Sequence, residues 1–239
     1  MDLNVRWNRW CDRFDAADRE VSVLFHTRQM WWATTHMWTD NATDIKLNNI
    51  IQNHFVRQYV TTQCVGIRRE CDYGNGTSSV RWCLSELTKF PNMVDRTRFE
   101  AIVDADPTTE SRYKRVTKDQ YSKLALPGAA GLDVAAVETD LGHLTAMAAS
   151  VRAYTNKVLA HREHTFTISL NWAELDQALN AVGELVKKYY LLRSGGKIKG
   201  NLTPDMPSGW DVPFRAPWAP NGILLPSHKI LDHYVHPGP

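Results

Sequence analysis

The sequence has 239 residues, of which 43% are hydrophobic and 23% charged, and its formal net charge is +2. This length suffices for one large domain or two small ones with a sizeable core. The nearly balanced charge excludes a surface that is basic all over, so binding of nucleic acid would need local clusters of Lys and Arg.

The N-terminal stretch MDLNVRWNRW is charged from its second residue and lacks the apolar core of a signal peptide. No later run reaches the ~18 apolar residues of a membrane span. We therefore expect a soluble, cytoplasmic protein without a membrane partner. The four cysteines have neither CxxC spacing nor the density of a disulfide scaffold, which predicts free thiols at Cys11, Cys64, Cys71 and Cys83.

The first part of the chain predicts two long helices. No glycine occurs before Gly66 and no proline before Pro91, so the strongest helix breakers are absent. Apolar residues recur at alternating three- and four-residue steps, which predicts one long amphipathic helix: Leu3, Trp7, Trp10, Phe14, Ala17, Val21, Leu24, Trp31 and Trp38. The cap-type residues TDNATD (39–44) end it, and a second helix is predicted from about Ile45 towards Arg69.

The remaining segments also predict helices. A glycine-containing loop precedes a hydroxyl-capped helix through Leu87, a polar helix covers 109–126, and another helix runs from about Leu132 to His161. Asn171 and Glu174 resemble a capping box at the start of a last helix, which ends in RSGGKIKG. Since no convincing strand pair or internal repeat occurs, the predicted fold is all-α, an up-and-down bundle of four or five main helices within residues 1–200.

Residues 201–239 are predicted to form an irregular tail. Eight of the eleven prolines fall at or after Pro204, so this region is neither regular helix nor central strand. It is also more apolar than a disordered linker, with Trp210, Phe214, Trp218, Ile223, Leu224 and Leu225. We expect it to pack on the bundle or on a partner subunit.

Two stretches resemble landmarks of the HEPN superfamily, in its bacterial abortive-infection branch. RRECDYGNGTSSVRWCLSEL has paired arginines and an aspartate before a hydroxyl-capped helix, and TNKVLAHREH has a histidine late in a helix. The resemblance covers roughly residues 3–193. It implies a helical bundle that pairs as a homodimer, acts in phage defence or as a toxin with an antitoxin partner, and in active members is a metal-independent ribonuclease.

In active members, four to six residues separate an arginine from the histidine that follows it. His161 matches that histidine, whereas Asn156, Thr155 and Tyr154 stand at the positions of the arginine. This difference leaves two hypotheses: a ribonuclease with its site at a dimer cleft, or a HEPN-derived module that acts by dimerisation or by binding another protein. Neither hypothesis requires a cofactor.

The chemistry of RNA cleavage assigns roles to residues around His161. A histidine can act as acid or base near neutral pH, cations can bind phosphate, and an amide can donate a hydrogen bond, which gives His161 and Asn156 as catalytic candidates and Lys157 and Arg162 as phosphate ligands. The alternative is structural, because cations and histidine in the last turn of a helix are favoured by the helix dipole and can bind its free carbonyls.

Further candidates have two interpretations each. Arg68 and Arg69 are predicted either to bind phosphate or to be held by Asp72 in a salt bridge that orients the following loop. The basic run from Arg112 to Lys123 is interpreted as a solvated face rather than an RNA surface. A position in the core or at a dimer interface is predicted, rather than stacking on bases, for Trp31, Trp32, Trp38 and Trp82. The histidine pairs 161/164 and 233/236 lack the companions of a metal site, so no metal is predicted.

Overall fold

A computed structural model describes residues 2–40, 49–74, 76–105, 107, 111–125, 131–160, 169–195 and 202. Its helices are α1 (Leu3–Asp40), α2 (Asn49–Glu70), α3 (Val80–Lys89), α4 (Arg96–Ala105), α5 (Ser111–Tyr121), α6 (Val134–Met147), α7 (Ala149–Tyr154) and α8 (Trp172–Ser194). Within these ranges the only extended pairing is an isolated antiparallel bridge between Ala125 and Leu132. The prediction of an all-α helical bundle is confirmed. In the part of the chain that the structure describes, no helix is both long and apolar enough to cross a membrane.

Helix α1 supplies one whole side of the core. The predicted apolar stripe is buried from its third to its seventh residue: Trp10, Phe14, Ala17, Val21 and Leu24. The helix packs against α2, α3 and α8, and the indole N–H of Trp10 donates to the backbone carbonyl of Cys83 in α3 at 3.0 Å. The three- and four-residue spacing thus positions α1 along most of the bundle.

Helices α4 and α5 form a smaller pair beside the bundle. Helix α4 is not among the predicted elements, and α5 is shorter than the predicted 109–126. The rings of Phe99 and Tyr121 lie 5.1 Å apart, and Lys118 pairs with Asp104 at 2.7 Å. The basic run on α5 is therefore engaged in part with α4.

The predicted single helix from Leu132 to His161 is wrong in detail. It is interrupted at Ala148, and residues Thr155–Ala160 form a π-helical segment. The buried Thr155 hydroxyl lies 2.7 Å from the carbonyl oxygen of Val151 and 3.3 Å from that of Cys64 in α2. A hydroxyl that bonds to the preceding turn bends a helix, and a π-bulge widens it.

Helix α8 begins and ends as the sequence predicts. Asn171 and Glu174 form a reciprocal capping box, and Gly195 adopts a left-handed conformation (φ 63°) after the last turn. Arg193 donates two hydrogen bonds to the carboxylate of Asp15, at 2.9 and 2.8 Å, which fixes α8 to α1.

Leu202 is the next described residue after Gly195 and is 3% exposed. It lies at the seam of α1 and α8, because a Cβ at Gly183 would be 3.0 Å from a Leu202 methyl group and would also meet the ring of Phe25. The rest of the predicted tail lies outside the described residues.

All four cysteines are free, as predicted. Cys64, Cys71 and Cys83 are buried in the core, and Cys11 is partly buried. Burial raises the pKa of the Cys64 and Cys71 thiols to about 12, so both are protonated at neutral pH.

Candidate functional site

The end of α2 and the loop that follows it hold three of the predicted site residues. Arg68 and Arg69 lie in the last turn of α2, and Asp72 lies in the loop, two residues after Glu70. The Ser79 hydroxyl accepts from the Trp82 N–H at 3.1 Å and lies 2.6 Å from the carbonyl oxygen of Asp72. Ser79 thus caps α3 and closes the loop through the backbone of Asp72.

A cavity of about 360 Å³ opens between this loop and α1. Its polar lining comes from α1, the end of α2 and the loop: Glu20, Arg69, Glu70, Asp72, Thr77 and Ser78. Arg69 is paired with Glu20 of α1 at 2.7 Å, rather than with Asp72 as in the predicted salt bridge. The orienting contact of Asp72 is the one from its carbonyl to Ser79.

Glu70 is the most perturbed acid of this cavity. It is 1% exposed, and its Oε2 accepts from the Val80 N–H at 2.9 Å. Burial raises the pKa of its carboxyl group to about 8, against the lowering effect of that hydrogen bond. Glu70 is therefore largely protonated at neutral pH.

The charges of the cavity are unfavourable for phosphate. An anion at the Arg69 guanidinium would compete with the Glu20 carboxylate and would also face Asp72. The carboxylates of Glu20 and Asp72 would repel a bound anion, which raises the free-energy cost of placing phosphate there. The cavity therefore gives little support to a phosphate role for Arg69.

Two of the other predicted residues, Asn156 and Lys157, lie on the π-helical segment. Asn156 and Lys157 are both exposed, one and two residues after the buried Thr155. The expected alignment of Lys157 with His161 assumed α-helical spacing, whereas a π-helix bonds each residue to the fifth one along. His161 and Arg162 lie outside the described residues, so their roles stay predictions.

Arg69 and Lys157 lie at different levels along α2. Thr155 lies against Cys64, and the charge of Arg152 acts on the Cys71 thiol, so α7 and α2 run antiparallel. Arg69 lies beyond Cys64 towards the C-terminal end of α2, whereas Lys157 lies beyond Thr155 in the opposite direction. At about 1.5 Å per residue, Arg69 and Lys157 are therefore separated along the axis of α2 by on the order of 10 Å. One chain thus holds Arg69 and Lys157 apart.

A second surface is formed by aromatic rings of α1, α2 and α8. Trp31 stacks on Tyr59 with centroids 5.0 Å apart and on Trp172 at 5.9 Å. Trp38 meets Trp31 edge-on at 6.2 Å and lies 5.5 Å from Phe55. Such stacks bury large apolar areas and hold the rings rigid.

Beside these rings lies an open depression of about 260 Å³ between α1 and α2, which we call the aromatic groove. Eight residues line it: Thr27, Met30, Trp31, Thr34, Phe55, Gln58, Tyr59 and Thr62. Phe55 is 39% exposed, and Trp172 at the margin of the stack is 43% exposed. Large exposed rings beside a groove are typical of association surfaces.

Trp82 is 3% exposed and lies in the core, which confirms the prediction that it packs there rather than stacking on bases. Trp31 and Trp38 pack in the aromatic stack, while Trp32 is 39% exposed. The sequence analysis missed Glu70 and Phe55. Glu70 follows the buried Ile67 by three residues, and this spacing could have placed it on the buried side of α2.

No group of three His, Cys, Asp or Glu side chains that could hold a metal ion occurs among the described residues. Comparison of the chain with models of protein families, with curated proteins and with solved structures gave no match. The resemblance to the HEPN superfamily therefore depends on the two quoted stretches alone. Because one fold can carry many functions, the helical bundle adds no functional assignment.

Proposed function

We propose that this chain acts by protein association, first of all with a second copy of itself, through the aromatic groove. The observation that carries the proposal is the stack of Trp31, Tyr59 and Trp172, which borders the groove beside the exposed ring of Phe55. Aromatic rings held rigid before binding lose little conformational entropy in a complex.

The separation of Arg69 from Lys157 supports this function over catalysis within one chain. Arg69 is paired with Glu20, about 10 Å along α2 from the level of Lys157. A HEPN-derived module that dimerises, or binds another protein such as an antitoxin, needs no cluster of Arg69, Lys157 and His161.

Sedimentation of the full chain over a range of concentrations tests the proposal. We expect a monomer–dimer equilibrium that Phe55→Ala weakens by at least about tenfold, a loss of about 1.4 kcal/mol. Val65→Ala is the matched control, because Val65 is also on α2, is 40% exposed and lies outside the groove residues. A dimer equally sensitive to both substitutions, or no association at any concentration, would overturn the assignment.

The second candidate function is metal-independent cleavage of RNA at a dimer cleft, as a HEPN-like defence or toxin-type protein. The exposed Asn156 and Lys157, five and four residues before His161 in the sequence, favour it. In this hypothesis His161 transfers protons, Asn156 donates a hydrogen bond, and Lys157 and Arg162 bind phosphate.

This candidate is tested with mixed cellular RNA in the presence of EDTA. Wild type should cleave, and His161→Ala of equal helicity and oligomeric state should not. His143→Ala on the exposed side of α6 serves as the matched control. Equal cleavage by wild type and His161→Ala would exclude the mechanism.

A further inference from the structure

The chain carries a segment whose chemistry matches the aromatic groove. Residues 213–220 read PFRAPWAP and contain prolines at 213, 217 and 220 with Phe214 and Trp218 between them. Proline favours the polyproline II helix, which has three residues per turn, so Pro217 and Pro220 share one edge of such a helix.

Grooves lined by aromatic rings are the usual receptors of polyproline II segments. The rings pack flat against the pyrrolidine rings, and a preformed extended helix loses little entropy on binding. The aromatic groove offers Trp31, Phe55 and Tyr59 for such packing and the amide of Gln58 as a polar group.

The chain that follows Leu202 is long enough for residues 213–220 to reach the aromatic groove. Leu202 is buried beside Gly183 and Phe25, and Trp31 lies six residues further along α1, about 9 Å in axial distance. Residues 203–210 alone extend up to about 25 Å at about 3.1 Å per residue, enough to pass a helix about 10 Å wide.

Tethering also favours the chain's own segment over a free one. A short link between two binding partners produces an effective concentration in the millimolar range, above that of a separate molecule in most solutions. Even a weak interaction between the segment and the groove is then substantially populated.

We propose that residues 213–220 occupy the aromatic groove of their own chain and so compete with the association described above. The inference rests on the proposed function in one respect, that the same groove is the association surface. Occupation by the segment lowers the apparent affinity for a second copy in proportion to the fraction of open grooves.

Photocrosslinking in the full chain tests occupation directly. Benzoylphenylalanine replaces Gln58 in the groove, and, in a second protein, Thr34 on its other wall. A matched control carries the probe at Glu138, which is exposed on α6. Isotope-labelled and unlabelled chains are mixed before irradiation, so that mass spectrometry separates links within one chain from links between two.

We expect both groove probes to link to a peptide containing residues 213–220 of the same isotope, and Glu138 not to do so. Phe214→Ala combined with Trp218→Ala should abolish the link, with unchanged helicity. No link from the groove, a link that is mainly between chains, or an equal link from Glu138 would overturn the inference.

Sedimentation of the same tail variant separates this inference from the proposed function. If the segment competes, Phe214→Ala/Trp218→Ala strengthens self-association; if the segment itself bridges two chains, the same variant weakens it and the inference is wrong. A dimer through the groove without any cross-link would refute the tail contact alone, whereas a cross-link without any dimer would refute the proposed function alone.

Discussion

The Glu70 carboxyl group lies 2.9 Å from the backbone nitrogen of Val80, with its oxygen accepting the N–H at the first residue of α3. This bond joins the end of α2 to the start of the next helix inside the protein. Because burial raises the pKa of Glu70 from 4.5 to about 8, the folded state binds its proton more tightly than the unfolded chain.

Substitution of Glu70 by Gln should therefore remove a pH dependence of stability. A raised pKa contributes stability that is fully present below about 4.5 and is lost as the pH rises to about 8. One pKa unit corresponds to about 1.4 kcal/mol, so we expect the free energy of unfolding of wild type to fall by a few kcal/mol at most over this window.

Urea unfolding of wild type and Glu70→Gln at pH 5 and pH 8.5 measures the difference. Relative to wild type, Glu70→Gln should have a higher free energy of unfolding at pH 8.5 than at pH 5. The amide still accepts from the Val80 N–H but does not ionise. Glu138→Gln on the exposed side of α6 is the control. Parallel pH profiles for all three proteins would show that Glu70 does not titrate between them.

Gly66→Ala should destabilise the contact between α2 and α1. A Cβ at this position would overlap the side chain of Leu24, which is 2% exposed and has little room to move. Overpacking of this kind costs about 1–3 kcal/mol. Gly142→Ala in α6 meets no atom within 4 Å and should instead stabilise by about 0.5–1 kcal/mol. Thermal unfolding of the two variants should thus shift in opposite directions, and a shared direction would contradict the packing.

Ser79→Ala should loosen the start of α3. The hydroxyl accepts from Trp82 and also binds the carbonyl of Asp72, so its loss removes a helix cap and a loop contact. A lost cap costs about 0.5–2 kcal/mol. The neighbouring Ser78 is exposed and is the matched control. Equal urea midpoints for Ser79→Ala and Ser78→Ala would contradict this role of the cap.

Arg69→Ala should change stability by less than about 1 kcal/mol. Its ion pair with Glu20 is 2.7 Å long, but the Arg69 side chain is 63% exposed, and exposed pairs contribute little. We also expect the variant to keep any RNA cleavage, because Arg69 is paired with Glu20 and lies about 10 Å along α2 from the level of Lys157. Loss of cleavage with retained stability would restore Arg69 as a phosphate ligand.

Most of the main helices could be predicted from local sequence patterns. The stripe from Trp10 to Leu24 and the capping box of Asn171 and Glu174 act within one or two turns, so neighbouring residues suffice to define them. The interruption at Ala148 could not be predicted in this way, because alanine is a good helix former and continues the apolar spacing.

The π-helical segment and the candidate surfaces depend on tertiary contacts. The hydroxyl of Thr155 reaches the carbonyl of Cys64 in another helix, and no local pattern encodes that pairing. The groove likewise forms only where Met30 of α1 and Phe55 of α2 face each other. The paired arginines lie before a loop as predicted, but the partner of Arg69, Glu20, comes from a distant part of the chain.

The buried cysteines have a practical consequence for following motion in this bundle. Only a thiolate reacts readily with alkylating reagents, and burial holds the Cys64 and Cys71 thiols protonated and shielded. Modification at neutral pH must then await a local opening. Since Cys11 lies on α1, Cys64 on α2 and Cys83 on α3, their separate labelling rates would report which helices part first.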